Sequence, residues 1–439
     1  MRIRFLAALA LVAVSSGLWP GPVHGVGRPG LTPVPCPAQA WTPTDATFSA
    51  LPGAKAFFGQ YDGGLYQIEI PANWNGELML SAHGFTTNAG EHGSELRVRP
   101  PLIREHVIAQ GFAWAASSYR CNGYVPGVGL QDTMALTDLF TKFNAGVAPQ
   151  RVYLTGGSMG GHVTLLGVHE FPTAFAGALA MCPAGPELFD YFTAVGAAAE
   201  VVTGLKFNDP ASVAATTRQM GEMLGKPPAY TDKGKQLASI EIQLSGGPRP
   251  FAMEGLRSRF IENVSGGALA GATSTSNRAA TNEGYTYSID PGLGLVASSL
   301  NASVRRKAPD MSVRGPMGPY DEQMPLDGQI QRPLMTMHGT GDLYVPIHLE
   351  RTLNKAVAAA GHSNLLVQRV YRIPGHCGFN EAEQSKSFDD LVSWVRQGVK
   401  PQGDDIFKDF RDAGRTFTNP LRDNDPGTLT VSGTSTSQP

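Results

Sequence analysis

The sequence predicts an α/β protein, a mostly parallel sheet covered on both faces by helices, and three observations predict it. Apolar strand-like runs alternate with helical patterns over 77–182, as strands joined by crossover helices do. The same alternation resumes over 333–398 after a long interruption. Within the first stretch, the β-branched run Arg151-Val-Tyr-Leu-Thr ends in Gly156-Gly157-Ser158-Met159-Gly160 and opens into a helical pattern, the setting in which a G-x-S-x-G turn carries a nucleophile.

In chain order, Arg2 and Arg4 precede the apolar run Phe5 to Val14 and the small residues Ser15-Ser16-Gly17, the layout of a secretory signal peptide over 1–25. The run is too short to cross a bilayer core of ~30 Å, so no stable membrane anchor is expected; cleavage falls after Ser16 or near Gly25. The mature chain is then secreted or periplasmic. Residues 26–50 read as an extended lead-in rich in Pro, Thr and Ala. Ala56 to Gln60 and Leu65 to Ile70 are strand-like around the turn signal Tyr61-Asp62-Gly63-Gly64. Glu77 to His83 reads as a buried strand, 100–110 as a helix opened by prolines, Phe112 to Ser117 as a strand and 130–144 as a helix. The elbow strand follows at 151–156, then a helix at 159–171 and a strand at Ala176 to Cys182.

From 187 to 330 the alternation stops. Asp209-Pro210 and Thr231-Asp232 look like helix starts, and 265–303 is rich in Gly, Ser, Thr and Asn with little apolar surface to hold it down. An insertion of this length between two strands of one sheet reads as a cap over the strand ends, dividing the core into 26–186 and 331–400. Pro333 to His338 and Leu365 to Tyr371 are the closing strands, 347–360 and Glu383 to Gly398 the closing helices. The polar tail, 401–439, is expected to pack loosely and to be disordered past Asp425.

Composition narrows the function. A hydrophobic content of 42% supports a sizeable core, and a formal net charge of -2 gives no basic excess to attract nucleic acid or an anionic membrane. No cofactor or metal motif stands out, and a monomer is expected. Four cysteines in an exported chain permit two disulfides with three possible pairings, and none has the C-x-x-C spacing of a zinc or redox site.

The chemistry of the elbow explains its residues. A serine hydroxyl is a poor nucleophile until it is lifted clear of its neighbours and given a base, and an abrupt strand-to-helix turn lifts it. Gly156 and Gly160 are small so that strand and helix pass closely, and the Met159 amide points at an oxyanion. Downstream, Asp342 in Gly339-Thr-Gly-Asp-Leu-Tyr-Val-Pro346 and His376 in Pro374-Gly-His-Cys377 each end a predicted strand.

The order Ser158, Asp342, His376 is the one α/β-hydrolases use, and the chain resembles that superfamily over about 75–185 and 330–398. The resemblance implies an eight-stranded, mostly parallel sheet with a cap inserted after the sixth strand. It also implies a Ser-His-Asp triad and an oxyanion loop His83-Gly84-Phe85, with the Phe85 amide as second donor beside Met159. In that fold the histidine loop reaches back over the strand ends, which would bring Cys377 to Cys182, while Cys121 ends a strand on the other side of the nucleophile, where the lead-in bearing Cys36 would lie. Within the superfamily the chain resembles secreted bacterial serine esterases and lid-bearing serine aminopeptidases.

Competing readings exist for several residues. Asp190 is a rival acid; His83 with Glu91 and His92 could be read as metal ligands, though without helical spacing; His162 and His338 read as packing histidines; Glu381 and Glu383 read as solvent-facing at a helix start. Ester hydrolysis needs only the triad, the oxyanion hole and an apolar pocket. Aminopeptidase action would need cap carboxylates for a substrate ammonium, with Glu241, Glu254 and Glu262 as candidates that fit an exposed helix face equally well. A non-enzymatic binding protein would have no use for the triad.

Overall fold

Eight apolar segments pair into one sheet in a computed structural model that describes residues 34–44, 48–269, 278–314 and 326–421; the expected leader and the end of the tail lie outside them. Strands β1 (Ala54–Tyr61) and β2 (Gly64–Pro71) form an antiparallel hairpin whose turn residues Asp62 and Gly63 take positive φ of 48° and 88°. The others are β3 (Glu77–Ala82), β4 (Ala113–Ser117), β5 (Arg151–Gly157), β6 (Gly177–Met181), β7 (Leu334–Gly341) and β8 (Leu366–Pro374). Their order across the sheet is β1-β2-β4-β3-β5-β6-β7-β8, parallel from β4 onward and antiparallel where β2 meets β1 and β4. This is the α/β-hydrolase sheet that the sequence predicts.

Helices cover both faces because the central strands are apolar on both. Helices α1 (Arg104–Ala109) and α10 (Glu381–Gln397) close one side, where Val107, Phe388, Leu391 and Trp394 pack on Trp114, Tyr153, Met335 and Tyr371. On the other side lie α2 (Pro126–Phe143), α3 (Met159–Glu170) and α9 (His348–Ala359), burying Leu136, Phe140, Leu165 and Val357 against Ile68, Leu80 and Leu154. Helix α1 starts at Arg104 rather than at 100, since Pro100 and Pro101 hold the approach extended. Helix α2 starts earlier than 130, with Pro126 at the position where a missing N–H costs nothing.

The segment between β6 and β7 holds α4 (Glu187–Thr203), α5 (Val213–Leu224), α6 (Asp232–Leu244), α7 (Ala252–Leu269) and α8 (Ala297–Ser303). Its core is continuous with the second half of the sheet domain: Tyr191, Leu237, Leu256 and Phe260 share one buried cluster with Leu343, Val345 and Leu349. The segment from 278 to 303 is better anchored than its composition predicts, because Ala280, Tyr287 and Leu300 are buried in that cluster.

The tail also departs from expectation. Up to residue 421 it packs on the edge of β8: the Val370 amide donates to Asp404 at 2.7 Å, the Arg372 amide to Thr418 at 2.7 Å, and Ile406 and Phe410 are buried. An edge strand left bare would present unpaired N–H and C=O groups, and these contacts occupy them. The expected disorder beyond 425 falls outside the described residues. At the other end, Thr42–Pro43 pairs in parallel with Glu95–Leu96, and the lead-in is tied down by a Cys36–Cys121 disulfide with α-carbons 5.9 Å apart.

Candidate active site

Ser158 lies between the end of β5 and the start of α3 with φ 60° and ψ -121°, a backbone state that costs a non-glycine residue about 1–3 kcal/mol. Neighbouring backbone holds it there: the Ser158 amide donates to the Met181 carbonyl at 2.9 Å, and the Ser158 carbonyl accepts from His162 at 3.1 Å and Ala184 at 3.2 Å. A β-carbon on Gly160 would run into the Ala82 carbonyl, and one on Gly156 into the Gly160 carbonyl, so both positions need glycine. Gly84 passes so close that a β-carbon there would lie 3.9 Å from Ser158 Oγ, which sets the His83-Gly84-Phe85 loop beside the serine.

Loops after β7 and β8 bring the other two side chains in. His376 Nε2 is 2.7 Å from Ser158 Oγ, and His376 Nδ1 is 2.6 Å from Asp342 Oδ2. With the ring proton on Nδ1 facing the carboxylate, Nε2 is free to accept from the serine hydroxyl. The Cys182–Cys377 disulfide, α-carbons 5.6 Å apart, joins the end of β6 to the residue after His376.

The acid turn is braced from every side. Asp342 is fully buried, and its Oδ1 accepts from the amides of Tyr344 at 3.1 Å and Val345 at 3.0 Å. His338 Nε2 faces the Val345 carbonyl at 2.9 Å. From the inserted segment, Tyr191 Oη and Asn263 Nδ2 donate to the Leu343 carbonyl at 3.2 and 2.8 Å. Arg249, also fully buried, donates to the carbonyls of Thr340 at 2.7 Å and Asp342 at 3.3 Å; burial lowers its pKa to about 10. Sequence reasoning misses Arg249, Tyr191 and Asn263, since nothing local distinguishes them from surface residues of a helical insertion.

The competing candidates lie elsewhere. Asp190 accepts the Thr281 amide at 2.7 Å, while the partner of His376 is Asp342. His83 sits with Nδ1 2.7 Å from the Gly84 carbonyl and Nε2 3.0 Å from that of Ser118, stacked on Tyr119, and burial lowers its pKa to about 4. His92 instead pairs with Glu95 at 2.7 Å, and Glu91 is exposed, so the three do not converge as ligands. His162 faces Tyr124 Oη at 2.8 Å, and His338 faces Glu350 at 3.2 Å, both enclosed. Glu381 is exposed as expected. Glu383 is not: it is buried, closes a capping box with Asn380, and takes the Asn419 amide at 3.1 Å.

A cavity of about 590 Å³ opens above Ser158 and His376. Phe85, Pro101, Leu102, Ile103, Leu179 and Met181 supply apolar wall, and Arg99, Arg259, Glu262, Tyr344 and Gln384 supply polar groups. Tyr344 stands edge-on to the His376 ring at 5.4 Å, with Arg259 over its face at 4.8 Å. Of the three carboxylates considered for a substrate ammonium, only Glu262 reaches this cavity, and it is paired with Arg259. Glu254 is exposed outside it. Glu241, which the sequence offers equally as an ammonium site or an exposed helix-face residue, is neither: it is fully enclosed, bonded by Tyr191 and Asn263, and burial raises its pKa to about 8. Among the described residues, the only cluster with metal-ligand geometry is Cys182, His376 and Cys377, whose two sulfurs are spent on the disulfide.

No family profile matches this chain, and no curated protein matches it. Solved structures similar in shape include feruloyl esterase B from Aspergillus oryzae, at 16% identity and TM-score 0.43, covering 79% of this chain and 82% of that one. Est1E from Butyrivibrio proteoclasticus is similar at 12% identity and TM-score 0.35, covering 78% and 98%. The acylaminoacyl peptidase of Pyrococcus horikoshii is similar at 12% identity and TM-score 0.38, covering 80% of this chain and 43% of that one. The fold assignment above rests on strand order, not on these likenesses.

Proposed function

With the α/β-hydrolase fold as premise, we propose that this chain is an exported serine hydrolase that cleaves carboxylic esters through an acyl-enzyme. The observation that carries the reading is the relay from Ser158 Oγ through His376 to Asp342 at the floor of a largely apolar cavity. Ser158 attacks the ester carbonyl as His376 Nε2 takes its proton; the same imidazolium then protonates the leaving alcohol. Water, deprotonated by His376, releases the acid. Asp342 keeps the imidazole in the required tautomer and stabilises its charged form. The amides of Met159 and Phe85 receive the oxyanion, and losing one such donor costs about 10²- to 10³-fold in turnover.

Export follows from the leader at 1–25, and the two disulfides suit an oxidising compartment. Residues 187–330 act as the cap, with Arg259 and Glu262 of α7 forming its contribution to the cavity wall. Aminopeptidase action has less support, because Glu262 is engaged by Arg259 and Glu241 is enclosed. Turnover of 4-nitrophenyl esters of increasing chain length, beside aminoacyl 4-nitroanilides, tests the reading. Ester cleavage without anilide cleavage is expected; preference for the anilides overturns it, and inactivity on both favours a binding protein.

A further inference from the structure

Three arginines follow one another on the chain that walls the cavity, and they differ in how their charge is met. Arg97 pairs with Glu95 at 2.7 Å, and Arg104 pairs with the buried Glu69 at 2.7 Å. Arg99, which lines the cavity, has no carboxylate within hydrogen-bonding reach among the described residues. Across the cavity, Arg259 is neutralised by Glu262. Among the described residues, Arg99 is therefore the cavity-lining cation that no carboxylate pairs with. The backbone that carries it is restrained, because Val98 on one side is buried and Pro100-Pro101 on the other restrict φ, while the Arg99 side chain itself is exposed to the cavity and solvent. Phe85 and Leu102, which line the same cavity, keep 44% and 54% of their surface exposed, leaving apolar area uncovered within it.

We propose that Arg99 is a specificity-determining residue that selects esters bearing a carboxylate, the anion resting on the guanidinium while the adjoining apolar portion covers Phe85 and Leu102. This rests on the ester-hydrolase reading and names its substrate class. An arginine meets a carboxylate with two parallel N–H donors, and a cation lining a cleft raises the local concentration of an anionic substrate. The same charge repels a substrate ammonium.

Two matched pairs of esters test it. One places the anion on the acyl side, 4-nitrophenyl hemiglutarate against 4-nitrophenyl valerate. The other places it on the leaving group, the butyryl ester of 4-hydroxybenzoate against that of methyl 4-hydroxybenzoate. In at least one pair the anionic-to-neutral ratio of kcat/KM should fall about fivefold in Arg99→Gln and further in Arg99→Glu, the size of one charge contact at a solvent-facing site. The ratio should also fall with added salt, and Arg97→Gln, whose charge is met by Glu95, should leave it unchanged. Ratios equal in wild type and both Arg99 variants for both pairs overturn the proposal. If no ester is turned over, the ester reading falls by itself. The anion site is then judged by binding of glutarate in saturation-transfer NMR, present in wild type and lost in Arg99→Gln if the site exists, and absent or equal in both if it does not.

Discussion

At the residue scale, Asp342 and Asp190 end in different company although both follow strands that deliver loops over the sheet. Asp342 accepts two turn amides with one oxygen and faces His376 with the other; Asp190 caps the Thr281 amide. Asp342→Ala should lower kcat by about 10⁴-fold, whereas Asp190→Ala should act through stability, by about 1 kcal/mol for the partly buried hydrogen bond to the Thr281 amide that is lost. A larger loss of turnover in Asp190→Ala at equal folded fraction would reverse the assignment. Glu241 carries a pH prediction. Burial raises its pKa to about 8 from an ordinary 4.5. Between those values the folded chain holds a proton that the unfolded chain has released, so this group's contribution is full below about 4.5 and is lost as pH rises through about 8. One oxygen of Glu241 and one of Asn263 are buried without partners, while the other atoms of the same two groups bond each other. A proton on the carboxyl supplies the missing donor, and a glutamine amide supplies it at any pH. Thermal melts should show Glu241→Gln gaining on wild type between pH 5 and pH 8; parallel curves would refute it.

At the element scale, three chain segments distant in sequence are made to share one turn. Residues 339–345 receive Arg249 from the α6–α7 connection, Asn263 from α7, Tyr191 from α4 and His338 from β7 itself. The inserted segment is thereby part of the support of the Asp342 turn and not merely a cover. Strand β8 depends on a distant segment in the same way, since 401–421 occupies its free edge. Burying Ile406 and Phe410 contributes about 2 kcal/mol each, so truncation after residue 400 should lower Tm by several degrees and promote association through the bared edge. An unchanged Tm and an unchanged mass in solution would show the tail to be dispensable.

At the scale of the whole molecule, what was legible in the sequence is what local chemistry dictates. Strand periodicity, the Gly156-Gly-Ser158-Met-Gly160 elbow and the Asp342 and His376 strand ends locate eight strands and three meeting side chains within a few residues. What stayed hidden depends on partners far along the chain. Nothing local marks Arg249, and Glu241 fits an exposed helix face, because only the turn at 340–343, about ninety residues on, buries one and Tyr191 and Asn263 enclose the other. Glu383 reads as an exposed helix-start acid until Asn419 arrives to bond it. Tail and insertion look loosely held because a few apolar residues in a polar stretch suffice to anchor it, and composition averages them away. All of these parts converge on Ser158. Incubation with a 4-nitrophenyl alkylphosphonate followed by peptide mapping should place one adduct on Ser158, and Ser158→Ala should remain folded, take up no adduct and lose about 10⁶-fold in turnover. An adduct on another residue, or more than a few per cent of activity left in Ser158→Ala, would contradict the account.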